Sequence, residues 1–372
     1  MREAARRDTE ALTRVKDALK DKRLVIIVGA GVTLNATADI AGMPLPRITW
    51  TGLIRNGLDY LLTDGYVDAS DGSIRQAYAA LEKTDTDSLL NAANILRGQL
   101  DLHGQFPTWL ETVFGSLYKE VRHRDIIEVL KLLHKKGATL LTTNYDDILE
   151  KAYNMRRIGR SNRDDILKFR RGNIDGVFHV HGSYQDPDEV VLDSKDYYKI
   201  RESDEVQNML KTFLDDRTIL FIGCGSGLED PNFDALLKWA SERHKNLPNK
   251  HCLLIRNGDT LNYRPLVRLK YGADYQDLVP YLYRLLDDPS QQACVVGPNS
   301  TYSGRGQSIL PFGRDGDFVG REEVLIKIDQ MFSESRSLRR IALEGLGGVG
   351  YAVFSAMALS LSDLKQEIAD RN

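Results

Sequence analysis

The stretch Leu140-Leu141-Thr142-Thr143-Asn144-Tyr145-Asp146-Asp147 constrains the chain most, because an apolar run breaks within it, in one step, into small and polar residues. Such a run reads as a buried parallel strand, and its carboxyl end delivers the polar side chains into the crevice where open α/β sheets bind ligands. Asn144 is the first candidate catalytic residue. Its uncharged amide carries two donors and one acceptor oxygen, so it can hold a sugar hydroxyl or a water without competing as a nucleophile.

Length and composition set the frame. At 372 residues the chain can form one large α/β domain with an appendage, or two domains. Hydrophobic residues at 42% and charged residues at 28% are those of a soluble globular protein. The longest apolar run, 24–32, falls far short of the roughly 20 residues a membrane-spanning helix needs, so no membrane partner is expected. The mixed charges of residues 1–22 are not a secretory signal, which places the protein in the cytoplasm. Cys224, Cys252 and Cys294 contain no Cys-x-x-Cys pair, against both a disulfide framework and a structural zinc site. A net charge of -3 gives no overall attraction for nucleic acid.

Read along the chain, Ala11, Leu12, Val15 and Leu19 share one face of a charged lead-in helix. Leu24-Val25-Ile26-Ile27-Val28 then runs into Gly29-Ala30-Gly31-Val32-Thr33, a β-branched strand meeting a glycine turn. Rossmann-type sheets begin this way, with glycines that allow a tight turn and a close approach to a pyrophosphate at the following helix. Taken alone, Gly-x-Gly fits equally well a strand-ending turn with no ligand. Between residues 50 and 136 helical periodicity recurs at 53–62, 74–81, 88–100, 106–117 and 124–134, which predicts an inserted helical module roofing the crevice. Trp50 and Trp109 belong to its core.

After the Asn144 strand, 148–153 reads as a helical turn, and 155–173 carries a run of arginines and lysines that reads as a solvated face. Val177-Phe178-His179-Val180-His181-Gly182-Ser183 is an alternating strand that stops at a glycine, with both histidines pointing the same way and His181 nearest the end. Val190-Val191-Leu192 with Tyr197 and Tyr198 suggests a short edge element, and 205–215 a helix. Further strands are expected at 218–222, ending in Gly223-Cys224-Gly225-Ser226, and at 251–255, with a helix from Pro231 to His244 between them. An element at 278–286 closes the domain near Asp288. The fold class is therefore α/β, a Rossmann-like doubly wound parallel sheet with an inserted helical module.

Gly29-Ala30-Gly31-Val32-Thr33, Thr143-Asn144-Tyr145-Asp146, His181-Gly182-Ser183 and Gly223-Cys224-Gly225-Ser226 follow one another as in the sirtuin (SIR2) family. They resemble most its zinc-free SIR2-like branch, found in NAD-depleting immune proteins, over about Leu24 to Asp288 of a domain spanning residues 1–288. The resemblance implies NAD as the substrate and no zinc. It assigns Ala30, Gly31, Thr33, Gly223 and Ser226 to the cofactor backbone and Asn144 and Asp146 to the nicotinamide end, with Gly29 and Thr143 also in the cofactor-binding set. Asn144 would orient the nicotinamide ribose and a water, and His181 would serve as general base. Arg256 stands where sirtuins usually carry an adenosine-contacting asparagine. The loop Ala41-Gly42-Met43-Pro44-Leu45-Pro46-Arg47 keeps the family's Gly, Pro and Arg, with Arg47 as a binding candidate, but has Pro46 where deacylating sirtuins carry an aromatic ring. That ring shields the sugar cation from water, so its replacement points to water as the acceptor.

Residues 289–317 are rich in Gly, Pro and Ser and read as a linker. Residues 318–372 resemble the opening of a STAND (NB-ARC-like) nucleotidase, truncated on this reading, with a phosphate loop at Gly345-Leu346-Gly347-Gly348-Val349-Gly350. Tyr351 and Ala352 replace the Lys and Ser or Thr that such a loop needs, so ATP hydrolysis is not expected. The resemblance implies an NAD+ glycohydrolase that yields nicotinamide and ADP-ribose. It would act as the effector of a bacterial or fungal immune receptor, form a homo-oligomer through the SIR2-like domain, and answer to a sensor in a longer protein. The alternatives are an NAD-dependent protein deacylase and a non-catalytic NAD or ADP-ribose sensor. A lone histidine at a strand end, taken by itself, is more often structural than catalytic, and it is the neighbouring motifs that make His181 a candidate.

Overall fold

The computed structural model describes residues 2–39, 43, 45–83, 85–225, 237–238, 242, 250–259 and 266–286. The chain divides after Val295, and all described residues belong to the first unit. Ser226, Asp288, Cys294, the linker, the STAND-like segment and most of the helix expected from Pro231 to His244 lie outside them.

Among the described residues seven strands form one sheet: β1 (Leu24–Val28), β2 (Thr139–Thr142), β3 (Arg157–Ile158), β4 (Val177–His179), β5 (Thr218–Ile222), β6 (Cys252–Ile255) and β7 (Val267–Lys270). Their order is β3-β4-β2-β1-β5-β6-β7, and every neighbouring pair is parallel. From β1 the chain builds outward on one side and returns through β5 to the other. The topological switch point, where such sheets bind ligands, therefore lies between β1 and β5. Register levels the strand ends there: Val28 faces Thr142 on one side and Ile222 on the other, and Thr142 faces His179.

The expected doubly wound α/β fold is the one observed, and its two-sided burial follows from strand alternation. Leu24, Ile26 and Val28 join Leu140, Leu220 and Ile222 in one core, while Val25 and Ile27 join Leu141, Phe178 and Phe221 in the other. The first core is covered by α1 (Arg2–Lys20), whose Ala11, Val15 and Leu19 are buried, and by the helical insertion. Five helices of that insertion, α3 (Trp50–Thr63), α4 (Gly72–Leu81), α5 (Thr86–Leu102), α6 (Phe106–Phe114) and α7 (Asp125–Lys135), match the predicted periodic stretches to within a few residues; α2 (Ala30–Thr37) precedes them directly after β1. Thr49, Asp71 and Asp85 cap α3, α4 and α5 by accepting hydrogen bonds from first-turn amides, each worth about 1 kcal/mol. Trp109 is fully buried, and its indole N–H donates to Asn56 Oδ1 at 3.0 Å.

Three expectations need correction. Strand β4 ends at His179, four residues earlier than the alternation suggested, because the chain turns at Val180. Val190-Val191-Leu192 is buried but forms no strand, and Tyr197 lies in the helix α10 (Ser194–Glu202), followed by α11 (Asp204–Asp216). The arginine-rich run contains the short edge strand β3 and the helix α9 (Arg163–Arg170), whose Ile166 and Phe169 are buried. Strand β7 had no counterpart in the sequence reading, since its exposed Arg268 and Lys270 leave little apolar signal.

Candidate active site

The carboxyl ends of β1, β2, β4 and β5 bring four sequence motifs to one rim of the sheet. At the switch point the glycines interlock. Gly29 N–H donates to Ile222 O and Gly31 N–H to Gly223 O, both at 2.9 Å. A Cβ on Gly31 would lie 2.8 Å from Gly223 Cα, and one on Gly223 would lie 2.6 Å from Val32 N. Gly223 also holds φ +70°, which side chains other than glycine's disfavour. Replacing Gly223 by alanine should therefore destabilise the domain by about 2 to 4 kcal/mol, from overpacking and left-handed backbone together. A urea melt measures this; a loss under about 0.5 kcal/mol would mean that the two turns part easily.

Beside this turn, Asn144, Thr33 and Asp146 form a directed chain. Asn144 Nδ2 donates to Thr33 Oγ1 at 3.0 Å, and Thr33 Oγ1 donates to Asp146 Oδ2 at 2.7 Å. Ile148 N–H donates to the other carboxyl oxygen of Asp146 at 3.2 Å. Burial pushes the Asp146 carboxyl up to about 6, against the pull of these two bonds. Above that pH the carboxylate can only accept, so the single Thr33 proton is committed to it, and Thr33 can only accept from Asn144. The Asn144 amide is thereby fixed with its nitrogen inward, which leaves Oδ1 as the acceptor it can offer a ligand.

The backbone of Asn144 is held as firmly as its side chain. Its N–H donates to Thr142 Oγ1 at 3.0 Å, and that hydroxyl donates to Val28 O at 3.0 Å. Its carbonyl accepts from His179 Nδ1 at 3.1 Å, which Gly182 O shares at 3.2 Å, while His179 Nε2 pairs with Glu150 Oε1. His179 is fully buried and cross-links the turn carrying Asn144, the turn after β4, and α8 (Ile148–Tyr153). Burial pushes its pKa down, but Glu150 and the Gly182 carbonyl outweigh that and the net shift is upward. A second tie joins the same turns: Asp147 Oδ2 accepts from Tyr184 Oη at 2.9 Å and Gln185 Nε2 at 2.8 Å, and pairs with Lys151 Nζ at 2.9 Å.

The structure separates the two histidines of the β4 motif, contrary to the expected common direction. His179 faces Glu150, whereas the buried His181 packs edge-on against Tyr197 with ring centroids 5.9 Å apart. Thr143 N–H donates to Val28 O at 3.0 Å, which joins it to the end of β1. Arg256, at the end of β6, pairs with Asp259 Oδ1 at 3.0 Å and lies 4.2 Å over the Tyr275 ring, whose carbonyl accepts from Asn35 of α2. Arg47 engages Glu120 Oε1 at 2.6 Å. A cavity of about 10 Å³ lies against Thr33, Asn144, Asp146 and Glu150, with room for about one water and not for a ribose, and His181 is not part of its wall. A sugar would therefore meet Asn144 from its half-buried outer side.

Glu150 and His179 are the site-forming residues the sequence reading did not assign to the site. The available signal was a titratable residue at a fully buried strand position between Phe178 and Val180. Cys224 and Cys252 are buried thiols, and among the described residues no group of three or more His, Cys, Asp or Glu is placed to hold a metal ion. Among the same residues no helix is long and apolar enough to cross a membrane.

Fold and candidate site together define a doubly wound α/β domain with an asparagine amide at the end of the strand beside the glycine turn. Residues 138–276 match the family model of the SIR2-like domain. The matched segment runs from just before β2 to just beyond β7, so it contains Asn144, Asp146, His179, His181, Gly223 and Arg256.

Proposed function

We propose that this protein is an NAD+ glycohydrolase, which cleaves the N-glycosidic bond of NAD+ to give nicotinamide and ADP-ribose with water as the acceptor. The observation that carries this reading is the directed chain Asn144–Thr33–Asp146 at the switch point, within a segment that matches the SIR2-like domain. Breaking that bond builds positive charge on the ribose, so catalysis needs groups that position the sugar and a water rather than a strong nucleophile. Asn144 Oδ1 would accept from a ribose hydroxyl or the attacking water. His181, from the neighbouring strand end, would take up the proton that the water releases. The dinucleotide's phosphates would approach the first-turn amides of α2, which follows the glycine turn directly. Arg256 would lie on the adenosine side, and Arg47 and Ser226 would complete the binding set.

On the same reading the SIR2-like domain assembles as a homo-oligomer and serves as the cytoplasmic effector of a longer immune receptor. The STAND-like segment after the linker supports that arrangement. Incubating the protein with NAD+ and separating the products tests the activity. Nicotinamide and ADP-ribose should appear in equal amounts without any peptide. Turnover only with an acetyl-lysine peptide, giving O-acetyl-ADP-ribose, would make it a deacylase, and binding with no turnover would make it a sensor.

A further inference from the structure

At the opposite end of the sheet, some 20 Å from the glycine turn by the length of β1, a groove of about 580 Å³ opens among the amino-terminal strand ends. Lys22 and Arg23 precede β1, Arg170 and Arg171 close α9, and Arg217 precedes β5; Asp216 is the one carboxylate in the lining. Several arginines elsewhere on the surface are matched with acids, as in Arg47–Glu120, Arg55–Glu82, Arg156–Asp165, Arg157–Asp186 and Arg163–Glu205. Among the described residues none of the five groove cations has a carboxylate oxygen within 4 Å. Neutral groups anchor two of them. Arg23 Nε donates to the Asp216 carbonyl at 3.0 Å, Arg217 Nη1 donates to Thr139 Oγ1 at 2.9 Å, and the Arg217 guanidinium stacks 4.7 Å over the Phe213 ring.

Anchoring of this kind fixes the direction of a guanidinium without cancelling its charge, and it leaves further N–H donors to meet an oxyanion in a forked geometry. Crowding of like charge is felt by the group. Burial lowers the Arg217 pKa, with Asp216 pulling it back up and nearby Arg23 pushing it down; burial and Arg23 likewise lower Lys250 against the pull of Asp215 and Asp216. Lys22 sits in left-handed backbone, φ 56°, a conformation glycine would adopt more easily, yet the position carries a lysine that lines the groove. A chain of net charge -3 has concentrated cations here, in a recess whose size suits a small molecule.

We infer that this groove is a second binding site, for a small polyanion carrying two or more adjacent phosphoryl groups. The inference is independent of the proposed glycohydrolase activity, since it uses none of its residues. Calorimetric titration of the full chain with inorganic tripolyphosphate tests it. Binding should weaken by about tenfold or more in the Arg170→Ala/Arg171→Ala double variant and in Lys22→Ala combined with them, Lys22 and Arg171 being exposed and Arg170 half-buried. It should stay unchanged in Asn144→Ala and in the exposed pair Arg75→Ala/Lys83→Ala, on α4 and just beyond its end. Absence of binding, equal affinity in the groove variants, or binding of long polyanions such as heparin but not of tripolyphosphate would overturn it. Thermal melts confirm that each variant is folded.

Discussion

Replacing Asn144 by alanine should slow nicotinamide release by about a thousandfold while NAD+ still binds, because the loss falls on positioning of the sugar and the water. The fold should survive, since one hydrogen bond to Thr33 is worth about 1 kcal/mol. Asn144→Asp is the sharper experiment. A carboxylate there would face Thr33 Oγ1 with an acceptor where only a donor is satisfied, so the isosteric exchange should be nearly as damaging as alanine. His181→Ala should also abolish turnover. The pH profile adds a check: as pH falls through about 6, Asp146 gains a proton, Thr33 is released from donating to it, and the fixed orientation of the Asn144 amide is lost. Activity should therefore decline on the acid side near pH 6, and Thr33→Val should lower kcat more than it changes KM. Equal nicotinamide release by Asn144→Ala, Asn144→Asp and the native chain would remove the basis of the proposed function.

The largest effect on stability is expected at His179. His179→Ala leaves Glu150 buried without its partner and strips the donor from the Asn144 and Gly182 carbonyls, a change that costs about 3 to 5 kcal/mol. The pair also makes stability depend on pH in a defined direction. The native pKa of His179 is raised, so its contribution is fully present below histidine's ordinary value of about 6.5 and disappears as pH rises through the raised native value. Urea melts on the alkaline side should show the native protein losing stability where a Glu150→Gln variant, weaker throughout, shows a flatter profile. Identical unfolding midpoints for the native protein and His179→Ala would show that the cross-link contributes nothing. Because the same imidazole joins the Asn144 and His181 turns, His179→Gln should retain more structure than alanine but lower kcat.

Much of the architecture was legible because it rests on local pattern. The five-residue apolar run before Gly29 and the one before Gly223 could only be buried strands, and the spacing of apolar residues from 50 to 136 could only be helical. What failed was local too. Two-residue β3 and the half-exposed β7 carry too little hydrophobic signal to be told from loops, and the turn at Val180 ends β4 at His179 although the alternation runs on.

By itself, the sequence determined the strand cores, the positions of the glycine turns, the helical insertion and the candidacy of Asn144, Asp146 and His181, since each follows from residue type and spacing along a few neighbours. The tertiary structure alone decided that Thr33 of α2 stands between Asn144 and Asp146 across more than a hundred residues, and that His179 is paired with Glu150. It also decided that arginines from three separate segments line one recess. Those facts depend on the order and register of parallel strands, which long-range packing sets and no short window of sequence contains.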